Sequence, residues 1–236
     1  MERVVAPGRG YHAALTLVSD GTEQALVKDY SGSGPLFRLV AAPWLAAREA
    51  RIYRRLAGTR GVPRSYGRWG RTGVLLEYVD GRNCQEVAQG EVGSCFFDRL
   101  REVVSAIHGR GVAHCDLKTA DNIVVTPTGE PIIVDFAQAI RRPARWNLLA
   151  QAIYQRFERD DWLALSKLKA RLAPGLLTEV EIRALRWRSP AERFVRAVRD
   201  RLRALSQWAF EADARVSRAQ ERTRERGASA RVLARK

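Results

Sequence analysis

Val112-Ala113-His114-Cys115-Asp116-Leu117-Lys118, then Asp121-Asn122-Ile123-Val124-Val125, then Ile132-Ile133-Val134-Asp135-Phe136-Ala137: on this stretch the reading of the fold turns. Two β-prone runs, residues 123–126 and 131–134, flank Pro127-Thr128-Gly129 and predict a short hairpin. A loop dense in polar side chains leads into that hairpin, and a second carboxylate, Asp135, ends it. The residue types fit one chemistry. A carboxylate can orient an attacking hydroxyl or take its proton, while an amide oxygen and another carboxylate are hard donors suited to Mg2+ beside phosphates.

Outward from this core, the first 80 residues read mainly as strands. Residues 13–18 and 24–30 surround Ser19-Asp20-Gly21-Thr22 and predict a hairpin. Residues 38–56 predict a helix, with Leu45, Ile52 and Leu56 near helical spacing and Gly58 as a stop. Residues 64–78 offer two more strands around Gly70-Arg71-Thr72-Gly73. Residues 95–108 predict a strong amphipathic helix through Phe96, Leu100, Val103, Val104 and Ile107, ended by Gly109 and Gly111. Beyond Arg141 the pattern is helical, broken at Pro174-Gly175 and Ser189-Pro190. Strands first and helices later predict an α+β fold, β-rich and then helical.

The order of loop, hairpin and Asp-Phe-small resembles the catalytic core of protein kinase-like phosphotransferases. That resemblance implies two lobes and ATP with Mg2+ as cofactors. Residues 1–80 would form an N-lobe with a five-stranded sheet and an αC-like helix. Residues 81–190 would form a C-lobe with the catalytic and metal-binding loops, followed by a basic helical extension at 191–236. Asp116 would be the catalytic base and Lys118 would steady the transferred phosphoryl group. Asn122 and Asp135 would hold Mg2+. The family places its Asn five residues after the Asp; here Asp121 occupies that position and Asn122 is the sixth. Asp121 is therefore an alternative oxygen donor, with Asn122 favoured because it abuts the strand. His114 reads as a structural histidine bonded near the Asp135 backbone.

Upstream, the resemblance assigns Lys28, in Ala25-Leu26-Val27-Lys28, to the nucleotide phosphates, and Glu49 to that lysine as its ionic partner. Gly8 and Gly10, in Gly8-Arg9-Gly10-Tyr11-His12-Ala13, stand for a degenerate glycine-rich loop. Glu77 and Val79 fall at the inter-lobe hinge, where backbone groups would bind adenine. Composition supports the set independently. The chain holds 36 Arg and only 5 Lys, and of 17 basic residues in positions 1–140 just two are lysines, Lys28 and Lys118. An ammonium is a compact point charge that the planar Arg fork does not replace between phosphate oxygens and a carboxylate.

No A-P-E element follows Asp135-Phe136-Ala137-Gln138-Ala139. The trimmed arrangement resembles an atypical branch that includes lipopolysaccharide (Kdo/heptose) kinases and RIO-type kinases. Asp-Phe-Ala-Gln-Ala is similar to the RIO form of the motif. The first expectation is phosphorylation of a lipopolysaccharide core sugar. A RIO-like serine/threonine protein kinase is the alternative, and a pseudokinase anchored to membrane or RNA is a third reading.

Net charge is +15, but residues 1–140 carry 17 basic against 15 acidic groups while residues 141–236 carry 24 against 11. The basic half favours an anionic partner: an acidic glycan or lipopolysaccharide, an anionic membrane surface, or RNA and the ribosome. Phe194, Val198, Leu202, Leu205 and Trp208 repeat at helical spacing there, with arginines mostly off their face. No apolar run reaches the roughly 18 residues of a membrane span, and the first residues lack a secretory pattern. Three cysteines without C-x-x-C spacing disfavour a disulfide framework or zinc site. A cytoplasmic protein is expected, peripheral on the inner face of the membrane if the basic half binds lipid.

Overall fold

The computed structural model describes residues 2–6, 13–19, 21, 23–32 and 34–186. Gly8, Gly10 and the basic extension 191–236 lie outside the described residues. The chain begins with β1 (Glu2–Ala6), β2 (Ala14–Ser19) and β3 (Gln24–Asp29), then α1 (Pro35–Arg55), β4 (Ser65–Trp69) and β5 (Gly73–Glu77). These strands form one antiparallel sheet in the order β1-β2-β3-β5-β4. The hairpin predicted at residues 13–30 is β2–β3, with Leu15 opposite Lys28 and Val18 opposite Ala25. Across the other edge of β3, Lys28 pairs with Val74 of β5, so the lysine stands mid-sheet.

The helix predicted at residues 38–56 runs from Pro35 to Arg55 and continues through Pro43. Its buried face includes the expected Ile52 and Leu56 but is wider than the sequence suggested. Leu45 is only half-buried, whereas Ala42, Ala46 and Ala50, each four residues apart, are buried together with Ile52, Tyr53 and Leu56. A row of methyl side chains lets a helix backbone lie close to its neighbour. The close approach brings Glu49, fully buried, within reach of β3.

The later part holds β6 (Arg82–Asn83), α2 (Ser94–Gly109), β7 (Val112–Ala113), β8 (Ile123–Val125), β9 (Pro131–Ile133), β10 (Ile140–Arg141), α3 (Leu148–Leu172) and α4 (Glu179–Arg186). β8 and β9 are the predicted second hairpin, joined to β6 in a small sheet, while β10 pairs with β7. The helix expected at residues 95–108 is α2, and each of its five predicted apolar positions is buried, with Phe97 and His108 beside them. Asn147 caps α3 by accepting from the Ala150 N–H at 3.0 Å. The result is a mixed fold with a β-rich first part and a helical later part. No described helix is long and apolar enough to cross a membrane.

Two features join the parts. Arg55 Nε donates to the Arg110 carbonyl at 2.5 Å, while Arg110 donates back to the carbonyls of Arg55 and Ala57 at 3.1 and 2.9 Å. These reciprocal bonds clamp the C-terminal ends of α1 and α2. Gly61 accepts from the Ile133 N–H at 2.8 Å, and its φ of +78° lies in the left-handed region. A Cβ at Gly61 would meet Val103 Cγ2 at 2.2 Å. Gly61→Ala therefore combines backbone strain with overpacking, and we expect about 2–4 kcal/mol of destabilisation in urea unfolding.

Candidate active site

The site forms where β3, α1 and the loops around the second hairpin meet. Lys28 Nζ lies 3.0 Å from Glu49 Oε1 and 2.6 Å from Asp135 Oδ1. Tyr30 also points its hydroxyl at Glu49 Oε2, 3.4 Å away. Burial works against the ammonium, yet the two carboxylates outweigh it and hold Lys28 well above its ordinary value. Asp135 responds in the opposite sense: burial opposes its charge, but Lys28 brings it below the usual carboxylate range. For Glu49, burial dominates and raises the carboxyl despite the same lysine. Three elements far apart in sequence thus converge on one nitrogen.

Asp135 adopts φ +62°, ψ +74°, a left-handed conformation uncommon for a residue with a Cβ. Its carboxylate accepts from the Ala137 N–H at 3.1 Å, starting a short 3-10 turn over Phe136–Gln138. Phe136 is fully buried, edge-on to Tyr53 of α1 at 5.1 Å between centroids and tilted against His114 at 4.8 Å. A row of rings therefore runs from α1 through the Asp-Phe turn to the loop before β8. His114 is completely buried, with Nε2 2.9 Å from the Val134 carbonyl. The expected structural role holds, with the bond one residue before Asp135.

Asp116 precedes the 3-10 turn Leu117–Thr119. Its N–H faces His114 Nδ1 at 3.3 Å, and its carbonyl accepts from Asn122 Nδ2 at 2.9 Å. Asn122 is thus drawn back against the Asp116 loop, whereas Asp121 is exposed. Lys118 is exposed on the same 3-10 turn as Leu117. Desolvation raises the Asp116 carboxyl, opposed chiefly by the charge of Lys118. Glu77 does not turn toward the cleft: its Oε2 accepts from the Arg64 N–H at 2.8 Å. Val79 follows β5, and Gly81, at φ +153°, passes the β8 edge where a Cβ would meet the Val125 carbonyl at 2.4 Å.

Three residues without a sequence assignment complete the arrangement. Asp161 of α3 is buried and gathers three donors: the His114 N–H at 2.8 Å, the Cys115 N–H at 3.0 Å and His108 Nε2 at 2.9 Å. It secures the loop at Cys115, whose φ of +71° is itself left-handed. Arg48 of α1 donates to the carbonyls of Ala137, Gln138 and Ala139, the last at 2.5 Å. Gln138 Nε2 donates to Asp116 Oδ2 at 2.6 Å. Of the three, Gln138 alone stood inside the motif that was read.

Among the described residues no group of three or more His, Cys, Asp or Glu side chains forms a self-sufficient metal site. The donor set suits a Mg2+ shared with a nucleotide, since Mg2+ typically takes one or two protein oxygens and completes its shell with phosphates and water.

A RIO domain family model matches residues 36–160, more than half of the chain. The fold is similar to the Rio2 kinase from Chaetomium thermophilum, with a TM-score of 0.55 at 16% identity over 79% of this chain and 61% of that one. It is also similar to the ADP/Mg2+-phosphoaspartate complex of that kinase, with a TM-score of 0.54 at 17% identity over 80% of this chain and 57% of the other. No curated protein matches the sequence. The architecture is that of the protein kinase-like superfamily. The chain belongs to the RIO domain family, and it spans about three fifths of the solved kinases it matches.

Removing the Asp161 carboxylate would leave three buried donors unpaired, a loss on the order of 3–5 kcal/mol. We expect Asp161→Ala to lower the melting temperature sharply, and Asp161→Asn, which keeps one acceptor oxygen, to fall between it and the unmodified protein.

Proposed function

We propose that this protein is an ATP- and Mg2+-dependent kinase that phosphorylates protein serine or threonine hydroxyls in the manner of a RIO-like kinase. The observation that carries the reading is Lys28 held between Glu49 and Asp135, beside a loop that presents Asp116. In this reading residues 1–80 hold the nucleotide and residues 81–190 bring the acceptor. Lys28 contacts the nucleotide phosphates while Glu49 fixes its direction. Backbone groups from Glu77 to Val79 meet the adenine. Asp116 orients the acceptor hydroxyl and takes its proton, a role helped by burial that raises its carboxyl above the ordinary value. Lys118 steadies the group in flight.

Asn122 and Asp135 are the residues that would hold Mg2+, with the exposed Asp121 as the alternative to Asn122. The bond from Asn122 to the Asp116 carbonyl favours Asn122. When bound, the ion neutralises charge on the phosphates as transfer proceeds.

A lipopolysaccharide sugar acceptor, the first expectation from the sequence, has less support than the protein acceptor, because both the family match and the solved relatives are of RIO type. The basic residues 191–236 would then serve docking on RNA, the ribosome or an anionic membrane. Three unpaired cysteines, Cys84, Cys95 and Cys115, fit work in a reducing cytoplasm.

Incubation with γ-labelled ATP, Mg2+ and either total protein or deacylated lipopolysaccharide tests the reading. Label should enter protein, and Asp116→Ala or Asp135→Ala should each lower turnover by about 100-fold or more while the fold persists. Activity indifferent to both substitutions would refute the assignment. Because a related complex carries phosphoaspartate, the label should also be challenged with hydroxylamine. Release would mark a carboxyl phosphate, and resistance a serine or threonine ester.

A further inference from the structure

The two carboxylate oxygens of Asp116 stand in different surroundings. Oδ1 is buried with no hydrogen-bond partner, and Oδ2 is covered by the Gln138 amide at 2.6 Å. An ionised carboxylate only accepts hydrogen bonds, so the amide nitrogen must be the atom facing it. Gln138 donates where an acceptor hydroxyl would have to donate. We infer that Gln138 is a specificity-determining residue that occupies the place of the acceptor hydroxyl at Asp116, keeping water from the base until an acceptor displaces it.

The surroundings suit a side chain that leaves while its backbone stays. Arg48 holds the carbonyls on both sides of Gln138 as well as its own, and Asp135 accepts from the Ala137 N–H. The turn is therefore fixed to α1 and to the Lys28 cluster. The Gln138 side chain is itself exposed, so it can rotate into solvent with its amide hydrated there. Asp116, by contrast, is anchored through its N–H to His114 and through its carbonyl to Asn122. An incoming hydroxyl that displaces the amide finds the carboxylate already aimed. A water molecule lacks the remaining acceptor contacts that would offset breaking a charge-assisted bond.

This inference rests on the kinase reading with Asp116 as base. The step it restrains is hydrolysis. A water oxygen bonds to the γ-phosphorus as the bond from that phosphorus to the β,γ-bridging oxygen breaks. The electron pair departs with ADP, and the proton of the water passes to Asp116 and then to solvent.

Phosphate release from Mg-ATP in the absence of any acceptor tests it directly. Gln138→Ala removes the cover; Gln138→Glu keeps its size but sets a carboxylate against Asp116, which turns the side chain outward. Each should raise phosphate release about tenfold, the scale of one hydrogen bond to a charged group, and the rise should vanish in the double substitution with Asp116→Ala. The ratio of hydrolysis to label transfer into protein should climb in parallel, a change that mere loosening of the fold would not produce. Unchanged or reduced release, with the unmodified protein still showing Asp116-dependent turnover, would overturn the role of Gln138 and leave the kinase reading standing. Absence of turnover from Mg-ATP in the unmodified protein and both variants would overturn the two together.

Discussion

A buried ammonium with two carboxylates around it is the constraint on which the site depends. Lys28 lies in the middle of the sheet, and an unpaired charge there would cost several kcal/mol in desolvation. Glu49 and Asp135 remove that cost only if α1 lies close to β3 and the Asp-Phe turn folds back toward the sheet. The alanine row on α1 meets the first condition, and the left-handed Asp135 meets the second. Neither is strongly favoured by local terms alone. A helix lined with methyl groups gains little from burial, and a left-handed aspartate is strained on the order of 1–3 kcal/mol. The ionic cluster makes both worthwhile.

A second centre, Asp161, acts on the loop rather than on the nucleotide side. It bonds to main-chain N–H groups of His114 and Cys115, so the loop direction is set by backbone groups. His108 fills the remaining space on that carboxylate and packs edge-on against Trp162 at 5.5 Å. The later part thus positions Asp116 with apolar rings on one side and a buried carboxylate on the other. The two centres meet at Phe136 and His114, whose contact ties the lysine cluster to the loop.

What could be read from the sequence was what is local or chemically scarce. The second hairpin, α2 and the β2–β3 pair follow from periodicity and turn residues within short windows. Lys28 and Lys118 stood out because lysine is rare in an arginine-rich chain. Glu49 followed from the resemblance, and the structure brings it to Lys28. Asp161 stayed hidden for a physical reason: it lies 47 residues beyond His114 and bonds to backbone, which imposes no side-chain type on its partner. Arg48 was one of 36 arginines, and its carbonyl partners again leave no pattern. On α1 the sequence pointed to Ile52 and Leu56, which are buried, but not to Ala42, Ala46 and Ala50, because alanines carry little weight in a hydrophobic count. β1 was noted only for the secretory pattern it lacks, since Val4-Val5-Ala6 is too short a run to show an alternation.

The grip of Arg48 on the Asp-Phe turn has an evolutionary consequence. Every atom it holds there is a peptide oxygen, common to all residue types. Side chains at 137 and 138 can therefore be exchanged without loosening the attachment of the turn to α1. The turn thus depends on an arginine and a backbone path, and not on which side chains stand at the mouth of the cleft. Such a division lets acceptor preference drift by single substitutions while the scaffold beneath it keeps its shape.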